Sequence, residues 1–553
     1  MNKIILTILT LFPLVGFAQA DWENPKGAIK DEEIVIEKNK QITLQPISRR
    51  FTSITIETIP TDSSVIQYTP KEIGLEIAKI PVKLRPKTMM AEPLNKTYWG
   101  TFKAGYGSYV SPYLQADLAS KRSDEYAIAL HFRHFSSKNG PIDEANSGLS
   151  NTDGFLSGKL FLNRITIGAT AGSKFDKYHL YGYDATIPIP ETQTITQRLS
   201  NYSLGVSLTD NDKNDSFFYT LNGGADFFKA KDLVWTETDL FANLKSNISI
   251  SENLKLNFLG EFHWSQTDAL LVPNNRLYYM AKPIGVYTYD AFVLEVGAGL
   301  YGTKDSINSY QHKFYITPHL VARYLKSGHT LSVGVKGDVI WKSARIQFDE
   351  NSYFGFSTLI NNEVKPLDIF MEANGKIIPK VDYVIGYHAA IYSQFGQFIN
   401  NYNDPSVFTI DYSTANNIIH QFSANINFIT NKQLNFILYG KYFGYKFEDF
   451  QNVYHLPKVD LGFASKFILE DKLVVQLTFT YLDGLYGFQP DLVENIDVKL
   501  NPILDLNFLA NYRINSTISI FAKMNNILGN EYQYYYRYPS KGFQALGGVS
   551  VTL

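Results

Sequence analysis

From Tyr98 to Leu553 the chain repeats one pattern: stretches of about ten residues alternate apolar and polar side chains, joined in turn by short polar turns and long polar loops. In the last stretch Phe543, Ala545, Gly547, Val549, Val551 and Leu553 share one face. Gln544, Gly548, Ser550 and Thr552 share the other, and Leu546 breaks the rule. A period of two puts successive side chains on opposite sides of a strand. Such strands repeated along a whole chain predict an all-β fold, a transmembrane antiparallel β-barrel of about 22 strands with lipid outside and a wet lumen inside.

The 553 residues include no cysteine, so disulfides, thiolate metal sites and a lipid-anchored N-terminus are ruled out. A net charge of −2 points away from nucleic acid. With 37 Tyr and 38 Phe the chain is rich in the rings that girdle a bilayer at its interfaces. The slightly negative mean hydropathy is what strands alternating lipid-facing and lumen-facing residues average to.

Three segments follow. Lys3, the apolar run Ile4 to Phe17 and the exit Ala18-Gln19-Ala20 read as a signal peptide over 1–20. Residues 21–96 are charged and proline-bearing and read as a periplasmic N-terminal extension, partly extended and ordered on docking. Residues 97–553 are the barrel, placed in the outer membrane of a Gram-negative cell with both termini periplasmic. Expected tight turns include Asn163-Arg164, Lys326 to His329 and Glu470 to Lys472; expected long loops include Ser343 to Glu363, Phe395 to Thr414 and Asn526 to Lys541. A soluble propeller or stacked sandwich also has many short strands, but would not need lipid-compatible faces or an apolar final residue.

In Leu331 to Trp341, the residues Leu331, Val333, Val335, Val339 and Trp341 are expected on the lipid side, with Ser332, Lys336 and Asp338 opposite. A lysine on the lipid face at mid-bilayer would cost roughly 2–4 kcal/mol, so charged positions are assigned to the lumen. The same reasoning assigns Lys342, Lys441, Asp505, Asn507, Asn511 and Arg513 to the interior, as a polar channel or substrate path, or as a paired wall that keeps the lumen wet. The aromatic run Tyr532 to Tyr538 reads as interface girdle, or as rings that grip a sugar or a peptide. His131 and His134, three apart on a strand, point to opposite faces and cannot chelate one ion. No G-x-S-x-G or H-E-x-x-H motif occurs, so no catalytic, cofactor or metal residue is expected and the chain is not expected to be an enzyme.

The run Met524-Asn525-Asn526-Ile527-Leu528-Gly529-Asn530-Glu531-Tyr532 resembles the Asn-Leu-Phe-Asp-x-x-Tyr segment near the C-terminus of TonB-dependent receptors, and the expected strand number is that family's. Phe543, Val549, Val551 and Leu553 resemble the terminal β-signal read by the barrel-assembly machinery, with Leu where Phe is usual. The leader exit and the Tyr/Asn-rich strands look like a protein of the Bacteroidota. The resemblance implies a barrel that binds or transports a solute across the outer membrane. It implies outer-membrane lipid, the assembly machinery, TonB and a surface lipoprotein as partners. The departure is at the N-terminus: 21–96 is too short for that family's folded plug and lacks its Gly-rich and Arg-containing motifs. Within it Glu33, Ile34, Val35, Ile36 and Glu37 resemble a TonB box, an edge-pairing strand; the other reading is an ordinary short strand of the extension. The alternatives are a non-transporting barrel subunit of a larger assembly and a passive porin.

Overall fold

The computed structural model describes residues 98–553, apart from 185–187, 212–215, 270–273, 306–311, 356–359, 432, 471 and 491–495. The signal peptide, the extension and the stretch Glu33 to Glu37 lie outside the described residues.

Twenty-two strands form one antiparallel sheet. The sheet closes on itself because the first strand, Gly100–Gly107, pairs with the last, Gln544–Thr552, from Thr101↔Thr552 to Gly107↔Leu546. Closure leaves no edge strand with unpaired backbone groups, which a bilayer would not tolerate. The chain end completes the seam: the Leu553 amide donates to the Gly100 carbonyl at 2.9 Å, and the Trp99 amide to the Leu553 carbonyl at 2.8 Å.

Apolar side chains cover the outer face. Phe102 and Tyr106, Leu204 and Val206, and Phe314 and Ile316 are all exposed there at alternate positions. Of the last strand's neighbours, Val549 faces outward with Phe543 and Leu553, while Leu546 points into the lumen against Gly105 and Gly107. Gly105 and Gly548 face each other in register at the seam. A Cβ on Gly548 would sit 2.2 Å from the Ala104 carbonyl oxygen and 2.5 Å from Phe521 Cζ. That pair of glycines is what lets the Phe521 ring lie across the seam.

Many strands exceed the expected ten residues, and Leu254–Ala269 and Asn274–Tyr289 each have 16. At about 3.4 Å per residue even a tilted strand of this length outruns an apolar band about 25 Å tall. The excess shows at one end of the barrel. There the strand-end residues Tyr178, Trp235 and Glu237 are buried under loops. The other end has only short turns, such as 162–164, 327–328 and 379–380. Connections at the loop end run from 108–110 to 393–416. Two of them contain hairpins of their own, Phe395–Asn400 with Phe408–Ser413 and Tyr486–Gln489 with Ile496–Lys499. A third, 341–362, carries the helix Ala344–Glu350.

One expected face is corrected. Leu331 and Val333 are exposed, but Val339 and Trp341 are buried with Tyr278, Tyr301 and Val364. Pairing steps from Lys336↔Asp368 to Asp338↔Lys365, which leaves an extra residue on the partner strand around Pro366 and Leu367. That bulge adds local twist beside Val339, and Trp341 already lies past the strand end at Ile340.

Candidate functional site: the loop cap and the lumen wall

The loops lock together across the barrel mouth. Tyr538 follows the penultimate strand and is 4 % exposed. Its ring stacks on Tyr353 with centroids 3.5 Å apart and meets Tyr181 edge-on at 4.8 Å. Its hydroxyl donates to the Ser406 carbonyl. Tyr181 follows the fifth barrel strand and Ser406 the fifteenth, which lie on opposite sides of a 22-strand ring. One tyrosine therefore ties opposite walls together.

Backbone pairing extends the cap. Gly355 and Phe408 share a bond of 2.9 Å, as do Phe408 and Tyr353, and the His455 amide donates to the Tyr486 carbonyl at 2.8 Å. His455 is 2 % exposed and joins its own loop to three others. Its Nδ1 bonds the Phe398 carbonyl and its Nε2 accepts the Tyr536 amide, each at 3.1 Å. That pattern requires the neutral ring with the proton on Nδ1. Burial pushes its pKa down to about 4, only partly offset by the Phe398 carbonyl. Lys541, half enclosed beside Tyr109, is lowered by burial to about 8.

The helix-bearing loop is pinned to the wall by charge. Glu237, buried on a strand end, accepts the Ala344 amide at 2.9 Å and the Arg345 amide at 3.3 Å, the free donors that open the helix. The Ser343 hydroxyl accepts the Ile346 amide at 3.2 Å as N-cap. Arg276, 1 % exposed, donates to Asp305 at 3.0 Å, to Asn362 at 2.9 Å and to the Lys342 carbonyl at 2.5 Å, with its guanidinium 4.3 Å over Trp341. Buried Arg276 is thus ion-paired and hydrogen-bonded, and buried Glu237 is hydrogen-bonded to backbone amides, the conditions under which burying such groups is tolerable.

The residues expected in the lumen are not one site. Lys336 lies 4.7 Å over the Phe370 ring, and Asp338 accepts from Lys282 at 3.1 Å and from the Tyr301 hydroxyl at 2.8 Å. Lys342 belongs to the cap, 2.6 Å from Glu350 and 3.5 Å from Glu363. Burial alone would lower its pKa, but Glu363 and Glu350 hold it above the ordinary lysine value. Lys441 sits opposite Asp460 in register. Asp505 accepts from Asn507 at 2.7 Å, and Asn507 accepts the Asn526 amide at 3.1 Å, holding the start of the last long loop. Asn511 borders a lumen cavity, and Arg513 is exposed at the turn end. His131 Nδ1 lies 2.5 Å from Asp117, whereas His134 bonds Thr152 at 2.7 Å.

Tyr532 to Tyr538 is corrected from girdle to cap core. Tyr535 donates to the Glu350 carbonyl at 2.8 Å and Tyr536 to Gln489 at 2.8 Å. Tyr181, Tyr353, His455, Glu237 and Arg276 were not singled out in the sequence. The available signal was the density of Tyr and Asn in segments expected to be solvated loops.

No family model matches the chain, and no curated protein matches its sequence. Solved structures do match its fold. The FrpB iron transporter from Neisseria meningitidis (F3-3 variant) superposes with a TM-score of 0.65 at 9% identity, over 83% of this chain and 82% of that one. The siderophore receptor PiuA from Acinetobacter baumannii gives 0.61 at 10% identity, over 83% and 82%. The ferripyoverdine receptor of the Pseudomonas aeruginosa outer membrane gives 0.62 at 9% identity, over 84% and 72%. The chain shares the closed 22-strand barrel of these outer-membrane transport proteins.

Proposed function

We propose that the protein is an outer-membrane barrel of the TonB-dependent-receptor kind that binds a solute at its loop end and passes it inward when the cap opens. The observation that carries this reading is the likeness in fold to an iron transporter and to siderophore receptors over most of the chain. The polar, ion-paired inner wall agrees with it. The interlocked cap speaks against a passive porin, because tyrosines joining opposite walls obstruct free diffusion. In this reading lipid surrounds the wall, the termini are periplasmic, the terminal strand serves assembly, and 21–96 stands in for a full plug. A surface lipoprotein would act on the cap.

Glu33 to Glu37 would pair with TonB by strand addition. The test is binding of the full chain in nanodiscs to the periplasmic domain of TonB. Binding lost on Val35→Pro, which removes a ladder donor, supports energised transport. No binding puts the second reading first: a membrane-embedded subunit of a larger assembly, favoured by a cap that ties opposite walls of the barrel.

A further inference from the structure

Beside the seam the lumen holds a cavity of about 630 Å³, walled by inward residues of the first five strands and the last three. Its size lies within the ~300–1,000 Å³ of small-molecule sites. Four cations line it against two carboxylates. Two of the cations are neutralised: Arg133 Nη2 lies 2.7 Å from Asp153, and Lys174 lies 3.2 Å from Asp176 and 2.6 Å from Asp349 of the helix-bearing loop. Lys103 and Lys523 have no ion-pair partner among the described residues. Between them the seam is aromatic: Tyr113 meets Phe521 edge-on at 6.1 Å, and the Tyr113 hydroxyl is fixed by its 2.5 Å bond to Gln115. The Gly105–Gly548 pair gives Phe521 its place.

We propose that this cavity binds a small organic anion with an aromatic or apolar part, its charge held by Lys103 and Lys523 and its flat part against Tyr113 and Phe521. Two unneutralised ammonium groups lining one cavity lower the energy of an anion there, and the rings supply contact area. The proposal rests on the solute-binding reading and names its substrate class. It needs no metal in the ligand.

The test uses the full chain in nanodiscs with three probes of one shape: naphthalene-2-sulfonate, neutral 2-naphthalenemethanol and cationic 2-naphthylmethylammonium. By calorimetry the sulfonate should bind about tenfold more tightly than the neutral probe, the cation weakest, and added salt should narrow the gap. K103Q/K523Q should weaken the sulfonate about tenfold and leave the neutral probe unchanged, whereas K103R/K523R should retain it. Heat-dependent gel migration verifies that each variant is a folded barrel. Equal binding of sulfonate and neutral probe, or a folded Gln pair that binds the sulfonate as the parent does, overturns the proposal. Uptake of the sulfonate by intact cells that carry the protein together with an energised TonB system separates the two claims. Binding without entry supports the site and sinks transport. Entry indifferent to the Gln pair supports transport and sinks the site.

Discussion

The wall and the cap of this barrel are built on opposite rules. In the wall, neighbours in space are neighbours in register, the backbone is paired strand to strand around the ring, and each residue has lipid or lumen before it. In the cap, Tyr181, Tyr353 and Tyr538 come from distant parts of the chain and form a small protein-like core with buried tyrosines, a neutral histidine and capped helix donors. The wall's stability is therefore spread over many equivalent strands. The cap's is concentrated in a few side chains. A region of that second kind can open while the first stays intact.

That contrast can be broken at its densest point. Tyr538→Ala removes the ring shared by opposite walls and should cost about 4 kcal/mol, as for other buried aromatics cut to alanine. The loss should appear as fast hydrogen exchange and protease cleavage in 341–362 and 526–543, with strand amides unchanged. Uniform loosening of the strands would mean that wall and cap are one unit.

The converse change acts on the wall. Val206, 65 % exposed on the outer face, sits next to inward Ser207. Val206→Lys should lower the stability of refolding into lipid vesicles by about 3 kcal/mol, whereas Ser207→Lys should leave it nearly unchanged. Equal effects would contradict the assigned faces.

Acid should act on the cap through His455. Above its ordinary value of 6.5 the imidazole is neutral whether the cap is packed or open. As pH falls from 6.5 toward about 4 only the open form takes up a proton, so the packed form loses stability over that window. The loss should reach about 3 kcal/mol by pH 4. It would be read as cap opening by hydrogen exchange. His455→Gln should flatten this dependence, and an unchanged profile in that variant would assign the titration elsewhere. Smallest of all, Ser343→Ala removes the helix N-cap and should cost about 1 kcal/mol, measured as faster exchange in 344–350 alone.

The same contrast explains what could be read from sequence. A wall strand faces two media, so its period of two marks the strands, most of the turns and the sidedness of Val549 or Lys336. The expectation fails after Lys336, where the partner strand carries one extra residue near Pro366 and the strand itself ends at Ile340, before Trp341. The proline was the visible hint, since it cannot donate to a ladder. The cap has no period. Tyr538 reads the same whether its ring lies at a lipid interface or between Tyr353 and Ser406, because partners more than a hundred residues away decide. The turn between Tyr289 and Phe292 leaves little trace for a different reason: Asp290, at a left-handed φ of 49°, is its one polar residue, beside apolar Ala291.

In the proposed function the cap governs passage through the barrel. The most direct test is single-channel conductance in planar bilayers of the full chain beside Tyr538→Ala. The parent protein should be closed, with steps of large conductance appearing in the variant. A parent that conducts steadily before any change to the cap would contradict the account.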